Sequence, residues 1–512
     1  MSSDTNESAA DTDTPVSAFE SSLVLVSNRQ PYSHRYEDDE IVVDRPVGGL
    51  TAGLDPVMQQ VDGTWIAWGD GDADAEVTDD NDCVRVPPED PSYTLRRVWL
   101  SDEAVDEYYY GYSNQVLWPL CHDLVGKTNF EDRFWSRYQE VNEQFADAVV
   151  EQADEESVVW FQDYHLALAP SHAREALPET TLFQFWHIPW PTWDTFRVCP
   201  HREELLGGLL ANDLIGFHTE RYVENFLACV DACFEAATVD TDSGEVEYDG
   251  ETTLVRAFPL GVDAERIGEL AGEREETFWP EFKREYSIPD DSRVAVGVDR
   301  LDYTKGIPER LDALEELFET RPEWRERLTY VQKSTESRSD ISEYQRLQSA
   351  VDERIERLNE RFATESWRPV VRIEEHLTNP ELYGLYAHSD LALVTPVRDG
   401  MNLVAKEYVA AQADDDTKDG VLVLSRMTGA HGELGDTAVT IEPYDAPELA
   451  GQIEEALTMP DHERKRRMDA LRASVLENDL DTWLASLLGT VQGLRRMSTQ
   501  DTDDRNQRET KS

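Results

Sequence analysis

Residues 298–311 read VDRLDYTKGIPERL, and residues 395–412 read TPVRDGMNLVAKEYVAAQ. In the first stretch Arg300 and Lys305 stand on a loop between an apolar run and a segment whose Pro308 suits the first turn of a helix. Two cations so placed can hold a diphosphate, the arginine as a bidentate fork and the lysine as a point charge. They can equally well pair with Asp299, Asp302 or Glu309 beside them. In the second stretch Gly400 lets the backbone turn. A helix opening near Asn402 would offer unpaired N–H groups and the positive end of its dipole, which together make an anion site. Asp399 can accept hydrogen bonds from sugar hydroxyls, and Glu407 can take a ribose diol. Lys406 is either a further contact there or a solvated helix residue.

Other polar residues end apolar runs in the first half of the chain: SNRQP (27–31), WFQDYHLALAP (160–170) with Asp163 and His165, and FWHIPWP (185–191) with His187. PVGGL (46–50) adds the adjacent Gly48 and Gly49. Each residue alone is more often structural than catalytic, but together they point to one cleft. The elements that must position them are legible. SLVLVS (22–27), SVVWFQ (157–162), TLFQFWH (181–187), RVAVGV (293–298) and DLALVTP (390–396) are short and apolar, as buried strands are. Between them lie amphipathic helices; Leu347, Val351, Ile355, Leu358 and Phe362 recur along one helical face. Strand and helix in alternation predict an α/β protein with parallel sheets. The polar, turn-rich stretch 238–256 predicts a boundary. The expected domains are Rossmann-like units at 21–250 and 251–490, the last helix packing back on the first. Segments 1–20 and 491–512 read as disordered tails. Open sheets of this kind bind ligands at strand carboxyl ends.

The chain has 512 residues and a formal charge of −59, with only eight lysines. So acidic a surface repels nucleic acid and anionic membrane alike. Hydrophobic residues at 40% and aromatics at 9% are ample for cores, so the charge reads as a solvated coat on a folded protein. Abundant Asp and Glu, scarce Lys and preferred Arg suit a halophilic source, an archaeon being the expectation, because salt screens self-repulsion. The five cysteines form no CxxC pair and read as apolar fillers in a reducing compartment. The N-terminus lacks a signal peptide's basic and apolar regions, and no apolar run is long enough to span a bilayer, so a cytoplasmic location is expected.

The ordered series SNR, GGL, DEYYYGYSNQVLWPL, WFQDYHL, HIPWP, REELLGGLLANDLIGFHT, GVDRLDYTKGIPER, SRSDISEYQRL and TPVRDGMNLVAKEYVAAQ resembles the trehalose-6-phosphate synthases. These are retaining glycosyltransferases with two Rossmann-like domains, the GT-B fold. The resemblance implies transfer of glucose from a nucleotide-glucose donor, UDP-glucose above all, to glucose 6-phosphate. It implies that Gly48, Gly49, Arg300, Lys305, Asp399, Gly400, Met401, Asn402, Leu403, Val404, Ala405, Lys406 and Glu407 contact the donor. It places Arg29, Tyr109, Trp118, Asp163 and Arg338 at the acceptor and His187 beside the transferring glucose. His187, Arg300, Lys305 and Asp399 are the implied catalytic group. No metal or cofactor is implied, the partners are small-molecule substrates, and a homo-oligomer is possible. Ser339 and residues 333–336 depart from the family pattern near Arg338, and EEHLT (374–378) departs near the nucleotide base. A glucosylglycerol-phosphate synthase-like transferase and an inactive nucleotide-sugar-binding regulator remain alternatives.

Overall fold

The computed structural model describes residues 23–38, 40–45, 49–273, 278–412 and 419–509. Gly48 and the expected tail at 1–20 lie outside them. Two large sheets dominate. In the first, seven parallel strands run in the spatial order Glu251–Ala257, Leu214–Phe217, Thr181–Phe185, Val158–Gln162, Leu23–Arg29, Thr64–Trp68, Tyr93–Val98. Antiparallel strands extend both edges. The second sheet is wholly parallel, in the order Val370–Ile373, Leu328–Thr335, Arg293–Arg300, Leu391–Val394, Val421–Ser425, Val439–Ile441. Strands such as LVLV at 23–26 and LALV at 391–394 are buried on both faces, which is why they read as continuous apolar runs without alternation.

Strand order reverses once in each sheet. In the first the reversal falls between Leu23–Arg29 and Val158–Gln162; in the second it falls between Arg293–Arg300 and Leu391–Val394. At such a switch point successive crossovers leave to opposite sides, opening a crevice at the strand carboxyl ends. The loops carrying Asp163, Arg300 and Asp399 therefore sit at crevices for topological reasons.

Two expectations about boundaries are corrected. Strand Glu251–Ala257 pairs with Leu214–Phe217, so the first sheet continues past residue 250. The polar stretch 238–256 is a run of antiparallel strands at the sheet edge, where solvent faces one side. Residues 491–509 of the expected second tail are helical, within Leu480–Glu509, and 510–512 lie outside the described residues. Trp483, Leu484, Leu487, Leu488 and Val491 of that helix are buried against Trp160, Phe183 and Phe185 of the first domain. The chain thus crosses between domains twice, near 258–263 and near 478–480. The crossings touch: a Cβ on Gly261 would lie 2.2 Å from the Asp479 carbonyl carbon, and Leu480 N–H donates to the Val262 oxygen at 3.2 Å.

Candidate active site

Lys305 does not pair with its acidic neighbours. Its Nζ lies 2.5 Å from Asp399 Oδ2, across the switch point of the second sheet. Asp299 is taken by the buried Arg310 at 2.8 Å, and Asp302 by Arg338 at 3.0 Å. Arg300 has no carboxylate partner among the described residues; its guanidinium lies 5.7 Å from the centre of the Trp118 ring. The second sheet's crevice thus holds one paired cation and one uncommitted cation at a strand end. Arg310 sets this loop from behind, bonding Asp299, Tyr330, Gln332 and Thr395, which three neighbouring strands of the sheet supply.

The loop after Leu391–Val394 is shaped by two residues. A Cβ on Gly400 would fall 2.1 Å from the His187 carbonyl oxygen, so the first domain's approach leaves room only for glycine. Asn402, at φ 75°, caps helix Leu403–Ala411 by accepting from Ala405 N–H at 3.2 Å, and donates to Asp399 Oδ2 at 2.9 Å. Burial alone would raise the Asp399 carboxyl; Lys305 and Asn402 outweigh it and hold it below the usual carboxylate range. Met401 and Ala405 are buried in this turn, while Leu403 and Val404 are partly exposed. Burial pushes the Glu407 carboxyl up to about 7.

Lys406 departs from both readings. It is neither solvated nor aimed at the cleft: its ammonium is buried, 2.8 Å from the Leu260 carbonyl and 2.8 and 3.0 Å from the two Glu433 oxygens. A charge there is tolerable because it is paired and hydrogen-bonded. It ties the helix to the interdomain crossing.

On the opposite wall, Asp163 follows strand Val158–Gln162 at φ 65° and accepts the His187 N–H at 3.1 Å. Burial pushes its carboxyl up to about 7. His187 contacts Gln162 Oε1 through Nε2 at 2.9 Å, and burial holds the ring well below the ordinary imidazole range, hence neutral near pH 7. Gly49 opens a helix, Gly49–Met58.

Arg29, Tyr109, Trp118 and Arg338 converge. Arg29 lies 4.8 Å from the Tyr109 ring centre and Arg338 lies 4.1 Å from that of Trp118. Arg29 also meets Asp70 at 2.6 Å. Tyr109 and Trp118 come from a π-helical stretch, Val105–Leu117, and the helix that continues it. There the Asn114 and Gln115 side chains donate to carbonyls five residues back. Burial opposes ionisation of Tyr109, but Arg338 and Arg29 outweigh it and bring the phenol down to about 8. Arg338, at φ 51°, donates to Asp302, Tyr344 and Tyr164, so a residue of the second domain is held partly by the first. Trp118 Nε1 also reaches Asp302, at 3.4 Å. Asp302, Tyr164 and Tyr344 were not foreseen as site residues. Asp302 stood in the opening motif, where it read as a partner for Arg300 or Lys305. Ser339, one of the departures, is exposed and offers its carbonyl to Gln345 Nε2 at 2.8 Å.

The arrangement can therefore hold an anion at Arg300 and Lys305, and a second anion between Arg29 and Arg338. Asp163, His187 and Asp399 add polar groups at the same strand ends. Among the described residues, no cluster of His, Cys, Asp or Glu could hold a metal, and no helix is long and apolar enough to cross a membrane.

A family model described as glycosyltransferase family 20 matches residues 21–492. The chain is 38% identical over 480 residues to the trehalose-6-phosphate synthase of Mycobacterium avium, covering 92% of this chain and 95% of that protein. It is 36% identical over 483 residues to alpha,alpha-trehalose-phosphate synthase (UDP-forming) A of Dictyostelium discoideum, covering 94% of this chain but spanning only 63% of that protein. Among solved structures, an E. coli protein bound with UDP-2-fluoro glucose superposes with a TM-score of 0.81 at 32% identity, covering 92% of this chain and 98% of that one. An alpha,alpha-trehalose-phosphate synthase (UDP-forming) from Burkholderia xenovorans, in complex with glucose-6-phosphate, superposes with a TM-score of 0.81 at 32% identity, covering 92% and 99%.

Proposed function

The chain belongs to glycosyltransferase family 20, and we propose that it transfers glucose from UDP-glucose to glucose 6-phosphate with retention, giving α,α-trehalose 6-phosphate and UDP. The observation that carries this reading is the meeting of two pairs of cations, each able to hold an anion, at the strand carboxyl ends of the two sheets. One pair is Arg300 and Lys305, the other Arg29 and Arg338.

In this reading Arg300, Lys305 and the first turn of helix Leu403–Ala411 take the donor diphosphate, and Glu407 the ribose. Asp399 and neutral His187 contact the transferring glucose. Arg29, Tyr109, Trp118 and Arg338 hold the acceptor phosphate and ring, with Asp163 on a sugar hydroxyl. As the bond from glucose C1 to the β-phosphate oxygen breaks, its electron pair stays on that oxygen. Cations already in place stabilise the charge without reorganising. The acceptor hydroxyl forms the new bond on the same face and its proton passes to the departing phosphate oxygen. The interdomain contacts of Trp118 with Asp302 and Arg338 with Tyr164 orient both sugars and exclude water, whose attack would be the competing reaction. A halophilic setting fits the charge of −59, and the substrates are small molecules.

The test is purified protein in molar KCl with UDP-glucose and glucose 6-phosphate. UDP and a phosphorylated disaccharide with two α-anomeric protons by NMR are expected in equal amounts. UDP release with glycerol 3-phosphate and not with glucose 6-phosphate would instead identify the other transferase, and donor binding without turnover a regulator.

A further inference from the structure

A cavity of about 230 Å³ lies on the side of the Asp399 loop away from Lys305. Asp399 turns its carboxylate to Lys305 and its carbonyl oxygen to Tyr222 Oη, at 3.0 Å, and Tyr222 lines this cavity. Its walls come from both domains: Arg221 and Tyr222 from the first, Arg398, Arg426, Gly429 and His431 from the second. Three guanidiniums around one small cavity stand out on a chain of charge −59. Two have acidic neighbours, Arg426 with Glu442 at 2.7 Å and Arg398 with the exposed Asp123 at 3.0 Å. Arg221 has no carboxylate partner among the described residues.

Arg398 is the more telling residue. It is 8% exposed, and its contact with Asp123 lies off the hydrogen-bonding direction, so neither Nε nor Nη2 finds an acceptor among the described residues. Those two nitrogens are shut off from solvent on the Asp123 side, so what Arg398 gives the cavity is a fixed positive charge in its wall. Long-range repulsion by the acidic coat is screened within a few ångströms in concentrated salt, so close contacts decide what binds.

We propose that this cavity binds a phosphate group, free or as a small phosphomonoester, distinct from both substrate sites. Because its walls belong to two domains, the bound anion bridges Arg221 to Arg398 and Arg426 and favours the docked arrangement. Tetrahedral oxygens suit several guanidinium edges at once.

Thermal unfolding in molar KCl with UDP saturating tests this, using inorganic phosphate and, separately, ribose 5-phosphate. At a hundredfold excess over Kd the melting temperature should rise by roughly 2–3 °C. Arg221 and Arg426 are exposed, so Arg221→Ala with Arg426→Ala should leave UDP affinity unchanged and abolish the rise. Arg338→Ala, which blinds the acceptor phosphate site, should keep it. A response to phosphate alone assigns the site to free phosphate; a response to both assigns it to the phosphoryl group. Amide exchange should slow together at 219–222 and 427–432. No rise with either probe, a rise surviving the double variant, one lost in Arg338→Ala, or slowing on one wall only would each overturn the proposal. Glucosyl transfer measured in parallel keeps that outcome separate from the assigned reaction.

Discussion

Lys305→Ala would strip one charge from a nearly buried pair whose atoms lie 2.5 Å apart. Two consequences can be separated. In catalysis, losing a preorganised charge at the leaving group costs about 3–4 kcal/mol, so kcat/KM should fall by about 10²–10³. In stability, stranding the Asp399 carboxylate costs about 3–5 kcal/mol. Spread over a chain of this size, that is a drop of about 3–5 °C in melting temperature.

The stability loss has a sign in pH. In the parent protein the Asp399 carboxyl is held below its ordinary value, so its contribution is present above the usual carboxylate range and is lost as pH falls. Without Lys305 the attraction that outweighed burial is gone and the folded-state carboxyl rises. Stability is then lost as pH rises, and the gap between parent and variant should widen from pH 5 to pH 8. Adding Asp399→Asn removes the stranded charge and should restore much of the stability but none of the activity. The measurements are UDP release under kcat/KM conditions and calorimetric melting at several pH values, both in molar KCl. Activity within about threefold of the parent, or a melting gap that does not change with pH, would refute the reasoning.

Arg338→Lys keeps a charge but loses the fork that reaches Asp302, Tyr344 and Tyr164. KM for glucose 6-phosphate should rise at least about tenfold while UDP-glucose affinity by calorimetry stays within about twofold. Glu407, pushed up to about 7, loses its charge as pH falls from 8 to 6. KM for UDP-glucose should therefore rise over that interval, and Glu407→Gln should flatten the profile. Self-repulsion at a charge of −59 should make the melting temperature climb steadily with KCl through the molar range; a flat response would contradict the halophilic reading.

The strands and the loops that bear Asp163, Arg300 and Asp399 were legible because apolar runs ending in polar residues are a local pattern, and switch points lie at such ends. The partner of Lys305 was not legible, because Asp399 is 94 residues away and sequence proximity favoured Asp302. Arg310 was invisible for the same reason: inside a helix it looks like a surface residue, and only the fold places Asp299, Tyr330 and Thr395 around it. Lys406 misled because composition cannot tell a paired, buried ammonium from a solvated one. The boundary at 250 failed because a polar hairpin at a sheet edge has the composition of a linker.

The return of the final helix to the first domain has a consequence for biosynthesis. Five apolar residues near the end of the chain complete a core begun at Leu23. At about 1.5–3 kcal/mol for each buried side chain, their absence would remove a large share of that domain's margin. On the ribosome, the second sheet, complete by Ile441, can close while the first domain still shows Trp160, Phe183 and Phe185 to solvent. The domain synthesised first is therefore the last to finish folding. A chain stopped near Asn478 would leave the ribosome with an apolar groove open and dependent on a chaperone.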